Sequence, residues 1–121
     1  MHVIYVAGPY RTYAANGQPD MFKVQQNIME AMALSLEVWK RGAVAICPHS
    51  NTMFFTNADG CADNVWLEGD LELIRRCDAL LVTPRWRESS GARAEVTLAR
   101  ERHIPVLEDI DDLNYWLRSV D

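Results

Sequence analysis

The feature that most constrains the fold is a short apolar run near the amino terminus, from Val3 to Ala7, which ends at Gly8-Pro9. The run is continuous and rich in β-branched residues, a pattern typical of a strand that is buried on both faces. Such strands occur mainly in parallel sheets that are covered by helices on both sides. The run therefore predicts the first and central strand of an α/β sheet.

Helical and extended patterns then alternate along the rest of the chain. Apolar periodicity predicts helices over 21–41 and 63–76, from Ser90 to about Arg102, and over 111–118. Short apolar runs predict further strands at 43–47, 78–83 and 105–107, with loops at 49–60 and 84–90. Alternation with short connections indicates a doubly wound parallel sheet of four to five strands, a Rossmann/flavodoxin-like three-layer sandwich. At 121 residues, we expect one domain over 1–121.

Composition excludes several classes of function. A net charge of −5 has the wrong sign for a protein that coats DNA or RNA, so we expect no nucleic-acid polymer as partner. Three cysteines without a CxxC pair fit a reducing cytoplasm. The amino terminus lacks a basic segment and a long apolar run, so we expect no signal peptide and no membrane association. No metal or cofactor is expected.

Ligands of doubly wound sheets bind beyond the carboxyl ends of the strands. Beyond the third predicted strand, two serines and Gly91 precede Glu95 at a predicted helix start. Because helix N-terminal amides stabilise anions, we expect Glu95 to be ionised at neutral pH, with Ser90 as the N-cap. Structural roles remain open: Ser90 as a cap, Ser89 as a solvated loop residue and Glu95 as an acid favoured by the helix dipole.

Asp70 is the second candidate acid. Its three- and four-residue spacings place it on one helical face with apolar residues, namely Trp66, Leu73, Ile74 and Cys77, and Leu67 is also expected to face inward. Desolvation raises a carboxyl pKa, so we expect Asp70 to hold a proton that Glu95 does not. A helix-edge aspartate bonded to a backbone amide or an arginine is the open alternative.

The remaining candidates lie in loops. Gly8, Pro9 and Arg11 follow the first strand, where glycine permits close approach and arginine offers a fork of donors. His49 and Asn51 follow the second strand and are candidates for contact with a ligand edge. Met53-Phe54-Phe55 is predicted either to wall a ring-shaped ligand or to form a subunit contact. Three arginines near the third loop, Arg85, Arg87 and Arg93, are either phosphate contacts or solvated.

In their order and spacing, Tyr5-Val-Ala-Gly8-Pro-Tyr-Arg11, Asp70 and Ser89-Ser-Gly91-Ala-Arg-Ala-Glu95 resemble the nucleoside 2-deoxyribosyltransferase superfamily. The resemblance covers about Val3 to Val106 and is greatest to its 2′-deoxynucleoside 5′-monophosphate N-hydrolase branch and the related cytidine monophosphate hydrolases. Pro9 departs from that branch, which often has a hydroxyl residue at this position.

The resemblance implies that Glu95 attacks the anomeric carbon and forms a covalent sugar intermediate, that Asp70 helps the base depart, and that Tyr5 orients the nucleophile. It further implies a 5′-phosphate at Ser89 and Arg11, a base beside His49, and dimers or larger assemblies. Two carboxyls of different pKa suit the cleavage of a glycosidic bond without a cofactor. Neither the base nor the sugar follows from the residues, and hydrolysis is not distinguished from transfer.

Two other functions remain open: a nucleotide-binding or sensor module without turnover, and, more weakly, a flavodoxin-like redox protein. The partner is a small nucleoside or nucleotide both for the glycosyl-transfer function and for the binding module. We also expect a homodimer, because Leu34 and Leu36 widen the apolar stripe of the first long helix beyond one face.

Overall fold

The computed structural model describes residues 1–51 and 63–120. Strands and helices follow in the order β1 (Val3–Ala7), α1 (Met21–Lys40), β2 (Val44–Ile46), α2 (Pro48–Asn51), α3 (Asp63–Arg75), β3 (Ala79–Val82), α4 (Ser90–Glu101), β4 (Val106–Leu107) and α5 (Ile110–Val120). One turn of 3-10 helix, Trp86–Glu88, precedes α4. Within these two ranges, no helix combines the length and apolar character that a membrane crossing requires.

The strands form one parallel sheet in the order β2-β1-β3-β4. Tyr5 in β1 pairs with Ile46 on one side and with Leu80 on the other, and Leu80 pairs with Val106. This is the predicted doubly wound, Rossmann/flavodoxin-like three-layer fold, with four strands among the described residues. The chain moves outward from β1 to β2 and then returns to add β3 on the opposite side. The carboxyl ends of β1 and β3 therefore flank the point where ligands bind in such folds.

Each face of the sheet carries its own apolar core. One core joins the sheet to α1 and α5 through Ile4, Val6, Ala31, Val38, Leu81 and Leu113. The other joins it to α3 and α4 through Tyr5, Ala7, Ile74, Leu80, Val96 and Ala99. Successive side chains of a strand point to opposite faces, so the alternation in β1 places Tyr5 on the side of α3 and α4.

The N-cap of α4 is Ser89, the serine that precedes the predicted cap. Ser89, with extended backbone, is the N-cap, and its Oγ accepts a hydrogen bond from the Ala92 amide at 3.2 Å. Ser90 is the first helical residue, so the prediction of Ser90 as the cap was wrong. Both serines have an amide at the required spacing, and only the backbone conformation distinguishes them. At the other long helix, Gly42 follows the C-cap with a φ of 82°, as predicted.

Two further predictions about elements need correction. Residues 48–51, predicted to begin a loop, form the single turn α2, which starts at a proline that suits a first helical turn. Leu67, predicted to face inward, is 54% exposed. Met53-Phe54-Phe55 lies outside the described residues.

A buried amide connects α1 to the loops after β1 and β3. Asn27 is 1% exposed, and its Nδ2 donates to the Tyr10 carbonyl at 3.1 Å and to Thr12 Oγ1 at 3.0 Å. Its Oδ1 accepts from Nη2 of Arg85 at 2.8 Å, and the same nitrogen donates to Glu30 at 3.2 Å. Because each polar group of this amide is bonded, the network fixes both loops against α1.

We expect Asn27→Ala to lower the free energy of unfolding by about 1 to 3 kcal/mol, because it leaves partly buried partners without a hydrogen bond. Chemical denaturation measures the change. Gln25→Ala, an exposed substitution on the same helix, is the matched control and should unfold like the native chain. Equal unfolding midpoints for the two variants would contradict this role of the network.

Candidate active site

A cavity of about 470 Å³ opens where the loops after β1 and β3 meet. Its volume lies in the range of small-molecule sites. Most of the predicted site residues line it: Gly8, Arg11, His49, Asp70, Ser89, Ser90, Gly91 and Glu95. Tyr5 is fully buried behind this lining. Asn51, predicted to contact a ligand, is exposed at the end of α2 and is not among the described residues that line the cavity.

Gly8 permits the close approach of β1 to β3 at this cavity. A Cβ atom at this position would overlap the side chain of Thr83, which is buried immediately after β3. Any larger residue would push the two strand ends apart or displace Thr83. The glycine of the first loop therefore has a steric role, and the lining of the cavity depends on it.

The central contact of the site joins β1 to α4. The Tyr5 hydroxyl donates a hydrogen bond to Oε2 of Glu95. Burial raises the pKa of Tyr5 far above its usual range, and the charges of Glu95 and Asp70 raise it further. The phenol therefore stays protonated and serves as a fixed donor to one carboxylate oxygen. The other oxygen of Glu95 is not engaged by this bond.

Burial opposes the expected ionisation of Glu95 at neutral pH. The helix begins at Ser90, so Glu95 lies in its second turn, where the helix dipole contributes little. Burial raises its pKa to about 7, and the charge of Asp70 adds to the effect, whereas the Tyr5 hydrogen bond and His49 lower it. Glu95 therefore changes its charge near neutral pH.

Asp70 enters the same cavity from α3. It is half-buried, and desolvation raises its pKa to about 6, against a smaller lowering by His49. The direction agrees with the sequence prediction. Burial raises the pKa of Glu95 as well, so both acids are shifted in the same direction, an effect of the assembled fold that helical spacing does not reveal.

His49 and Pro9 contact each other beside the cavity. The His49 ring is 5% exposed, and its Nε2 donates to the Pro9 carbonyl at 2.7 Å. Pro9 is itself buried and is not among the described lining residues, and its backbone carbonyl orients His49. Burial lowers the pKa of His49, but the Cys47 thiol, the Pro9 carbonyl and the Glu95 charge together raise it above its usual value.

Only some of the groups predicted to bind an anion near the third loop line the cavity. Ser90 and Gly91 line the cavity at the start of α4, and Arg11 lines it from the first loop. The hydroxyl of Ser89 already accepts the capping hydrogen bond. None of Arg85, Arg87 and Arg93 is among the described lining residues. Instead, Arg85 donates to Asn27 and Glu30. Arg87 donates to Glu108, and Arg93 donates to the Arg87 carbonyl.

Sequence reasoning missed an aromatic and apolar part of the lining. Tyr10, Tyr13, Trp66 and Leu67 all border the cavity, as does the carboxylate of Glu88. Trp66 stands one helical turn before Asp70, so the spacing that found the acid also carried the signal for the indole. Tyr10 packs edge-on against the His49 ring at 5.6 Å between centroids. This part of the wall suits a flat, aromatic ligand group.

We expect Glu95→Gln to stabilise the protein in a pH-dependent way. The folded pKa of about 7 exceeds the ordinary 4.5, so the native state binds the proton more tightly and stability falls as pH rises between these values. Glutamine removes this penalty, worth up to about 3 kcal/mol above about pH 8, and leaves little difference below about pH 4.5.

Thermal unfolding at about pH 8 and at about pH 4.5 measures this gain in stability. Glu101→Gln, an exposed change on the same helix, is the control and should show no such gain. A stability difference for Glu95→Gln that is the same at both pH values would contradict the assigned titration.

Comparison with known families places the site within one domain family. Residues 2–109 match the family described as "Domain of unknown function (DUF7768)", a span that includes every described residue lining the cavity. A search of curated proteins found no matching relative. Because the match takes in most of the 121 residues, the chain belongs to the DUF7768 family.

Proposed function

We propose that this protein cleaves or transfers the N-glycosidic bond of a nucleoside or nucleoside 5′-monophosphate through a covalent glycosyl intermediate on Glu95. The observation that carries the proposal is the Tyr5 hydrogen bond to Glu95, in a cavity that Asp70 enters from another helix. The similarity of the motifs to the nucleoside 2-deoxyribosyltransferase superfamily supports the same assignment.

In the first step, the ionised Glu95 attacks C1′ of the sugar as the bond between C1′ and the base nitrogen breaks. The electron pair of that bond leaves with the base, which takes a proton from Asp70. Positive charge develops on the sugar and negative charge on the base, so a carboxylate and an acid stabilise opposite sides of the transition state. Tyr5 holds one oxygen of Glu95, which leaves the other for attack.

In the second step, water or an acceptor base attacks C1′ and releases Glu95. Asp70, now ionised, takes the proton from the incoming nucleophile, as microscopic reversibility requires. Water gives hydrolysis, and a base gives transfer. Both outcomes use the same two carboxyls and need no cofactor.

The lining supports a nucleotide-sized substrate with its base against Tyr10, Trp66 and Leu67 and beside His49. The start of α4 and Arg11 then face the phosphate of a monophosphate substrate. Glu88 lines the same cavity, and its negative charge opposes a phosphate there. A nucleoside and its monophosphate are therefore both candidate substrates.

A binding or sensor module without turnover is the second candidate function. One observation favours it: burial raises the pKa of both Glu95 and Asp70, and attack needs Glu95 ionised. A binding module is stabilised against heat by a nucleotide that stays intact, whereas an enzyme consumes it.

We expect the native protein to release free base from at least one nucleoside or 5′-monophosphate, with or without an acceptor base, as chromatography detects. Glu95→Gln should abolish release, and Asp70→Asn should reduce it by about 10²- to 10⁴-fold. Tyr5→Phe should reduce it as well, because the carboxylate loses its donor. Glu101→Gln should keep full activity.

Because Glu95→Gln is expected to be more stable than the native chain, its loss of activity is not a loss of folding. Absence of release from every substrate, or unchanged release by Glu95→Gln, would overturn the proposed chemistry. Stabilisation by an intact nucleotide would then favour the binding module.

We further propose a cytoplasmic homodimer. Cys47 and Cys77 are free thiols, which supports a reducing compartment. The apolar residues Phe22, Met29 and Leu36 repeat at seven-residue spacing on α1 and are 88%, 66% and 59% exposed. Such a repeat on one helix face suits contact with a second copy. Leu34, by contrast, packs partly against the core and does not widen this stripe.

Light scattering at micromolar concentration should give twice the mass of one chain, and Phe22→Asp should shift the mass toward that of a monomer. Tyr115→Asp, at an exposed aromatic residue of α5, is the matched control and should leave the dimer intact. A monomer under all conditions, or no effect of Phe22→Asp, would contradict the dimer.

A further inference from the structure

A smaller groove of about 250 Å³ lies against α1, apart from the candidate active site. Cys47, the residue directly after β2, lies at this groove with the hydroxyl residues Ser35 and Ser50. The apolar side chains of Met32, Leu36 and Trp39 form the rest of its wall. The groove therefore gives small molecules a path to a thiol that is otherwise buried.

The thiol is adjacent to a histidine that is oriented by a third group. His49 Nε2 donates to the Pro9 carbonyl, so Nδ1 is the acceptor nitrogen of the neutral ring. That nitrogen is buried and has no hydrogen bond of normal geometry among the described residues. The Cys47 thiol interacts with this ring. A nucleophile, a base and a group that orients the base form the arrangement that activates thiols in proteins.

The electrostatics of the two partners agree with this arrangement. Burial raises the pKa of the Cys47 thiol, but His49, the Ser35 hydroxyl and the Ser50 amide together lower it below its usual value. Cys77 offers a matched comparison, since the two residues are 9% and 8% exposed. Burial and the charge of Asp78 raise the pKa of Cys77 to about 11. Equal burial therefore leaves the two thiols with opposite tendencies to ionise.

We propose that Cys47 is a nucleophilic thiol, activated by His49, and a modification site for small electrophiles and low-molecular-weight disulfides that enter the groove. With an alkyl halide, the sulfur forms a bond to carbon, the halide leaves, and His49 takes up the thiol proton at Nδ1. With a disulfide, the sulfur forms a new S–S bond and the second sulfur leaves as a thiolate. This inference does not depend on glycosidic chemistry.

Modification at Cys47 also reaches the candidate active site. His49 lines the large cavity, so an adduct that removes its interaction with the thiol alters one wall of that cavity. Cys47 lines the groove and His49 lines the large cavity, so the interaction between the two residues links the state of the thiol to the pocket.

The test is limited alkylation of the full chain with iodoacetamide, followed by peptide mapping with mass spectrometry. We expect Cys47 to react about tenfold or more faster than Cys77, because the larger thiolate fraction outweighs the lower intrinsic nucleophilicity of an acidic thiol. His49→Gln should bring the Cys47 rate close to that of Cys77. His103→Gln, at an exposed histidine, is the control and should leave both rates unchanged.

Two features keep the outcome decisive. A His49→Gln chain that unfolds exposes Cys77 as well, so a constant Cys77 rate reports that the fold persists. Leu36 belongs both to the groove and to the proposed dimer stripe, so the reaction is repeated with Phe22→Asp, designed to remain monomeric. Alkylation of Cys47 no faster than of Cys77 in this variant, or a fast rate that survives His49→Gln, would overturn the proposal.

Discussion

The arrangement of the molecule depends on the pairing of β1 with a strand on each side. Because both of its edges are bonded to neighbours and both of its faces are covered, the side chains of β1 have fixed directions. Tyr5 points to the side of α3 and α4, and its hydroxyl reaches the one carboxylate that α4 presents to the cavity. A shift of one residue in this strand would send the phenol to the opposite core and leave the carboxylate without its donor.

The fold raises the pKa of both acids at the site, so it disfavours their charged forms. Glu95 and Asp70 are both partly withdrawn from water, and the charge of Asp70 raises the pKa of its neighbour. Among the described residues, neither acid forms a salt bridge with a lysine or an arginine. Charged residues away from the cavity do pair, as Glu37 does with Arg41 at 2.7 Å. The two acids, which line the cavity, therefore differ from surface acids that pair with neighbouring cations.

Local sequence patterns predict most of the helices and strands. Several properties of the site depend instead on contacts between residues that are distant in sequence. The apolar run of β1 and the Gly42 stop signal suffice to predict elements, because they act over a few residues. The charge of Glu95 could not be predicted, because it depends on burial by parts of the chain that are distant in sequence. The choice between Ser89 and Ser90 required backbone angles. The role of Trp66 in the lining required knowledge of which helix face borders a cavity and which borders the core.

The outer strands of the sheet have a consequence for how copies of this chain meet. β2 has three residues and β4 has two, so each edge offers few backbone groups to another polypeptide. Short edges resist the strand-to-strand addition that begins ordered aggregation. The described edges therefore disfavour contact through strands, and side chains on the helices are the surfaces where shape and polarity can be selective.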